Sequence, residues 1–302
     1  MLQIIESKSK ILSHTREELQ ENVRYACRLK LPEVNTRDKS KKDTWVICAG
    51  GPSLKESIQE IKEHQVKGHR IVSVGATYDL LVNYGIIPDY YILLDASSAI
   101  ATFFTPLKDT QYLVASQCNK AVFDKLKGYN VKLWHPADTY DNEPIIRSFD
   151  IKSPLVPGGS TTALRAFELG YRMGVNKFHY YGVDSSADEL LYAYELRPGN
   201  RDNEEDKILH KVFMVCSNGY AREFLTTVDL GCQASEFMVL CRKYTEAVIK
   251  GKVPCKIEVH GKGLVPCSWN TYFKMRHKDP SFDLGIAIQE GSWDRYKADD
   301  ED

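Results

Sequence analysis

From residue 44 onward, short apolar runs alternate with segments that place apolar residues three and four apart. TWVICAG (44–50), RIVSVG (70–75), YYILLD (90–95), QYLVAS (111–116) and VKLWHP (131–136) have the length and the β-branched and aromatic content of buried strands. SLKESIQEIKEHQ, TYDLLVNYG and NKAVFDKLKG lie between them and predict helices. TTALRAFELGYRMG (161–174) predicts another helix and KFHYYGVD (177–184) another strand, followed by a helix over 229–250 and the strand CKIEVHG (255–261). Consecutive parallel strands need a crossover, so this alternation predicts an α/β fold, a Rossmann-like, mostly parallel sheet flanked by helices.

The flanks read differently. TREELQENVRYACRLK (15–30) predicts an N-terminal helix, and a polar stretch rich in basic residues follows it. Residues 185–210 are polar, contain Pro198-Gly199 and read as a long loop; an irregular tail is expected after 261. The expected organisation is an N-terminal helical extension and linker (1–43), a Rossmann-like domain (44–265) and a C-terminal tail (266–302).

Composition narrows the class. The 302 residues are 43% hydrophobic and 27% charged, with 40 basic and 41 acidic side chains. A net charge of −1 provides no global field toward nucleic acid or membrane. Eight cysteines show neither a CxxC pair nor a zinc-type spacing, and no leader or apolar span is evident, so reduced thiols and a cytoplasmic setting are expected.

Ligands of open parallel sheets lie beyond the carboxyl ends of the strands, which turns strand ends into candidates. Gly50, Gly51, Pro52 and Ser53 form one such corner, where glycines allow close approach and backbone N–H groups can face an anion. An ordinary tight strand-to-helix corner has the same spelling. Gly159, Ser160 and Thr161 open the helix at 161 in the same style, with hydroxyls added. No GxxxxGK[ST] and no GxGxxG occurs, which argues against P-loop kinases and ordinary dinucleotide dehydrogenases. Asp95 and Asp184 end strands, where an aspartate holds a ribose hydroxyl or Mg²⁺, or merely caps a turn. His135 and the stretch His260 to Gly263 also fall at strand ends. His64 and His69 flank a helix end and read as surface residues, and His179 reads as core. His210, at the end of the long loop, is a candidate general base; Tyr192 and Tyr194 can donate to phosphate oxygens or simply anchor the loop.

VICAGGPSL, IIPDYYILLDA, GGSTTALRAFELGYRMGVNKFHYYGVDSS and VHGKGLVP together resemble the MptE-like superfamily over residues 44–265. That group includes archaeal 6-hydroxymethylpterin pyrophosphokinases and bacterial motility accessory factors, which transfer sugars to flagellin. The order of motifs is also similar to that of bacterial CMP-sialic acid sialyltransferases. The resemblance implies that Gly50, Gly51, Pro52 and Ser53 approach a nucleotide, and that Gly159, Ser160 and Thr161 hold its phosphate or ribose. It further implies that Tyr192 or Tyr194 stabilises the departing phosphate and that His210 takes the acceptor's proton. The chain has Gly50 where the sialyltransferases carry an asparagine, which leaves the donor base open.

Three functions are therefore expected in turn. The first is a glycosyltransferase that moves a sugar from a nucleotide-sugar donor to the hydroxyl of a glycan, small molecule or modified nucleic-acid base. The second is an ATP-dependent pyrophosphokinase of the pterin type, with Asp95 and Asp184 on Mg²⁺. The third is a nucleotide-binding module without catalysis.

Overall fold

The computed structural model describes residues 2–4, 14–34, 43–137, 142–188, 192–193, 208–252, 255–289 and 294–295. Among them the chain runs β1 (Leu2–Ile4), α1 (Arg16–Arg28), β2 (Asp43–Cys48), α2 (Ile58–Val66), β3 (Arg70–Val74), α3 (Tyr78–Asn83), β4 (Tyr90–Leu93), β5 (Gln111–Ala115), α4 (Lys120–Lys125), β6 (Asn130–Trp134) and α5 (Asn142–Ser148). It continues through α6 (Thr162–Arg172), β7 (Val175–Tyr181), β8 (Ile208–Cys216), β9 (Ala221–Thr226), α7 (Val228–Ile249), β10 (Lys256–Val259), α8 (Leu264–Lys278), β11 (Leu284–Gln289) and β12 (Asp294–Arg295). Each strand and helix expected between 44 and 184 is present.

Seven strands form the parallel sheet in the order β10-β7-β2-β3-β4-β5-β6. Both faces are covered, which is why the strands are continuous apolar runs rather than alternating ones. Along β2, Trp45 and Ile47 enter the larger core, while Val46 and Cys48 enter the core under α2 with Leu54, Ile58 and Ile61. On the Trp45 face α6 approaches closely at Gly170, where a Cβ would lie 2.7 Å from the indole and 2.8 Å from the Phe178 ring. The expected N-terminal helix is α1; it starts with a reciprocal cap between Thr15 and Glu18 and packs Val23 and Cys27 against Ile146 of α5.

Two expectations change. Strand β8 begins inside the predicted long loop and pairs antiparallel with β9 and β11 in a second sheet, β1-β11-β8-β12. The turn Ser217-Asn218-Gly219 joins β8 to β9, and Asn-Gly between two apolar runs is the local signal for that hairpin. The expected irregular tail contains α8, which runs through the anticipated boundary at 265/266, and β11. Pro266 sits in the first turn of α8, where its missing N–H is not needed. No described helix is long and apolar enough to cross a membrane.

Candidate functional site

The chain builds β2 through β6 in one direction, then returns through α6 to lay β7 on the other side of β2. The order thus reverses between β2 and β7, and the carboxyl ends of those strands flank the crevice where such sheets bind ligands. The candidate corner Gly50–Ser53 after β2 and the candidate Asp184 after β7 both stand at this switch point.

They are fastened together. Gly51 N–H donates to Gly182 O at 2.7 Å, and Ser53 N–H donates to Asp184 Oδ2 at 2.9 Å. These two N–H groups, expected to await an anion, are consumed within the protein. A Cβ on Gly51 would strike the Asp184 carboxylate, and Gly182, at φ +66°, would strike Ala49 O. The glycines are required by contact between the two strand ends, before any ligand is considered.

Asp184 is 1% exposed. Burial pushes its carboxyl up from the usual range, opposed by the hydrogen bond from Ser53 N–H. The start of α8 also leans on this segment: Val265 N–H donates to Asp184 O at 3.1 Å and Leu264 N–H to Ser186 Oγ at 3.0 Å. Gly261, at φ +117°, comes so close that a Cβ would lie 2.8 Å from Ser53 Oγ and 3.0 Å from Asp184 Oδ1. Asp184 therefore acts as a latch among three chain segments.

Asp95 follows β4, is half exposed, and caps its own turn by accepting from Ser97 N–H at 2.8 Å. Three strand intervals separate β4 from β7, which puts the two strand ends about 14 Å apart. Asp184 Oδ1 is buried without a hydrogen-bond partner, but the Gly261 backbone fills the space in front of it. Asp95 and Asp184 do not fit one shared Mg²⁺ ion.

At the start of α6, Ser160 N–H and Oγ donate to Glu236 Oε2 of α7 at 2.9 and 2.7 Å. Thr161 caps the helix by accepting from Leu164 N–H. A Cβ on Gly159 would lie 2.7 Å from the same Glu236 oxygen. A carboxylate of the protein thus occupies the helix start where the resemblance implies phosphate or ribose. Of those two, a hydroxyl suits a carboxylate and a phosphate is repelled by it.

Ala193 N–H donates to Gly50 O at 2.9 Å, which sets the backbone of Tyr192 beside the corner after β2. Tyr194 lies outside the described residues. His210 is not on a loop but in β8, 3% exposed, opposite Thr226. Thr226 Oγ1 donates to Ser185 O at 2.7 Å, so His210 is one strand pairing from the residue after Asp184. Burial lowers its pKa from the ordinary imidazole value and keeps the ring neutral.

His135, a strand-end candidate, is buried with neither ring nitrogen hydrogen-bonded; Glu33 is 3.9 Å away. Burial, with the Arg147 charge adding to it, pushes its pKa down to about 4 from 6.5. The unfolded chain takes a proton below the normal value that the folded protein refuses. This contribution to stability is thus complete above pH ~6.5 and is lost as the pH falls toward about 4. Urea unfolding at about pH 7 and about pH 5 should show that His135→Leu loses about 2 kcal/mol less on acidification than the unsubstituted protein.

Sequence reasoning missed one contributor here. Glu236 sits mid-helix with nothing local to mark it. The start of α8 carries a visible signal, Gly-Lys-Gly at 261–263, and His260 to Gly263 were expected to lie at the site.

The sequence model of the family described as 6-hydroxymethylpterin diphosphokinase MptE-like matches residues 17–189, more than half of the chain. The chain belongs to the MptE-like family. The matched MptE-like region runs from α1 to just beyond Asp184 and so contains both sides of the switch point. Among solved structures, the MptE-like chain is similar to the Maf glycosyltransferase from Magnetospirillum magneticum AMB-1, with a TM-score of 0.54 and 14% identity. That similarity covers 91% of this chain and 43% of the Maf protein, so the chain spans less than half of that protein's length. At this identity the likeness establishes the fold, including its extension beyond 189. No curated protein matches the chain.

Proposed function

We propose that the chain is a transferase that binds a nucleotide sugar across the β2/β7 switch point and passes the sugar to an acceptor hydroxyl. The observation that carries this reading is the docking of Ala193 on Gly50, which brings Tyr192 to the corner that the fold offers to a ligand. A tyrosine there is a neutral donor for the oxygens of a departing phosphate. Glu236, already aligned by Ser160, is an acceptor for the ribose hydroxyls. His210, held neutral by burial, supplies a base one strand away. In the reaction, the bond from the anomeric carbon to the donor phosphate breaks. The bond to the acceptor oxygen forms, and that oxygen's proton passes to the His210 imidazole.

The diphosphokinase named in the family's description needs Mg²⁺ across two phosphates. Asp95 and Asp184 do not offer such a site, so the geometry supports glycosyl transfer better. The test is thermal stability of the protein with CMP, UDP, GDP and ATP, with and without Mg²⁺. Stabilisation by a nucleoside mono- or diphosphate in the absence of Mg²⁺, weakened by Glu236→Ala, is the expected result. Stabilisation by ATP alone, and only with Mg²⁺, would overturn it.

A further inference from the structure

Half of the protein's eight histidines gather on the α2-covered face of the parallel sheet at its β10/β7 edge, next to the switch-point corner but facing α2. The register of β10 on β7 sets Glu258 directly opposite His179. His260 follows two residues later on the same face of the chain. His64, from the last turn of α2, and His69, just before β3, cover this face. The His64 and His179 ring centres are 4.3 Å apart, and His64 and His69 meet through their Nδ1 atoms at 2.7 Å. Expected as surface residues, His64 and His69 are instead partly buried in this cluster.

Three donor atoms converge. His179 Nδ1 is 3.1 Å from His260 Nε2 and 3.3 Å from Glu258 Oε2, and the last two are 3.9 Å apart. A tetrahedral zinc ion with bonds of about 2.0–2.2 Å spaces its ligand atoms about 3.3–3.6 Å from one another. The three separations bracket that spacing. Among the described residues this is the one group of three or more His, Cys, Asp or Glu side chains close enough to hold an ion.

The surroundings favour it. Glu258 Oε1 is held by Lys256 and faces Lys177, which leaves Oε2 aimed at the imidazoles. Such supporting contacts orient a ligating carboxylate. His179 is 4% exposed and its Nε2 has no hydrogen-bond partner, while Glu258 and His260 are each about one-third exposed. One side of the cluster is therefore fixed in the core and the other open to solvent. Hydrogen bonding alone accounts for one proton shared between His179 and His260. It does not account for a carboxylate oxygen pointed at the same spot.

We propose that His179, Glu258 and His260 form a binding site for one divalent transition-metal ion of the zinc class, with a fourth position open to water or an outside donor. The ion would tie the edge strand β10 to β7 beneath α2. This site shares no residue with the proposed transfer machinery and does not depend on it.

The test uses chelator-treated protein titrated with Zn²⁺ by calorimetry, and with Co²⁺ by visible absorption. Expected are one ion per chain, a raised Tm with Zn²⁺, and the intense visible bands of four-coordinate cobalt. Glu258→Gln and His260→Ala alter partly exposed side chains and keep the fold. Each should weaken Zn²⁺ binding by at least about 100-fold. Absence of stoichiometric binding at micromolar Zn²⁺, the weak spectrum of six-coordinate cobalt, or affinity unchanged in both variants would overturn the proposal.

Discussion

Replacing Asp184 by alanine should cost about 3–5 kcal/mol of folding stability, read as a fall in the urea midpoint with an unchanged slope. The carboxylate is 1% exposed and accepts the Ser53 N–H at 2.9 Å. Alanine leaves the Ser53 N–H without its partner, at about 1–3 kcal/mol, and opens a cavity where the buried carboxylate stood. Against a total of about 5–15 kcal/mol this is a large fraction. Asp184→Asn keeps one acceptor oxygen and should recover part of the loss. Acid should not mimic the substitution. The folded carboxyl titrates above its unfolded value, so its protonation on lowering the pH removes no stability. The same variant should lose nucleotide-dependent stabilisation, because the Gly50–Ser53 corner is placed by this latch. A loss below about 1 kcal/mol would show that the three segments are held by packing rather than by the carboxylate.

The parallel sheet was legible because its physics is local. A strand covered on both faces must be apolar throughout, and a crossover helix must show a stripe, so β2 to β7 and their helices declare themselves in sequence order. The strand-end rule also placed Gly50–Ser53, Asp184 and Gly261–Gly263 together at one end of the sheet, where they meet. Their chemistry was not legible. Whether the N–H groups of Gly51 and Ser53 remain free depends on Asp184, more than a hundred residues away, and the helix start at Ser160 is met by Glu236 from another helix. His210 was drawn into a loop by the charged residues before it, although the Asn-Gly turn after β8 announced a hairpin. The histidine cluster was the least visible, since His64, His69, His179 and His260 come together only through the pairing of β10 with β7 and the packing of α2.

His210→Gln should lower kcat by about 10²–10⁴-fold while leaving nucleotide affinity unchanged. The ring lies in β8 opposite Thr226, which holds Ser185 in the segment after β7, so its place is fixed by two strands and one hydrogen bond. Burial keeps the imidazole neutral to lower pH than usual, which keeps it competent to accept a proton at neutral pH. Activity should therefore stay level as the pH drops to about 6.5 and decline only below it, through the lowered pKa. That acid limb should vanish in the glutamine variant. A side chain that serves only to fill the second sheet would behave differently. Its replacement would lower Tm and leave kcat and the acid limb of the pH profile intact, and that outcome would remove His210 from the transfer step. The two roles are thus separated by measuring kcat, Tm and the pH profile on the same pair of proteins.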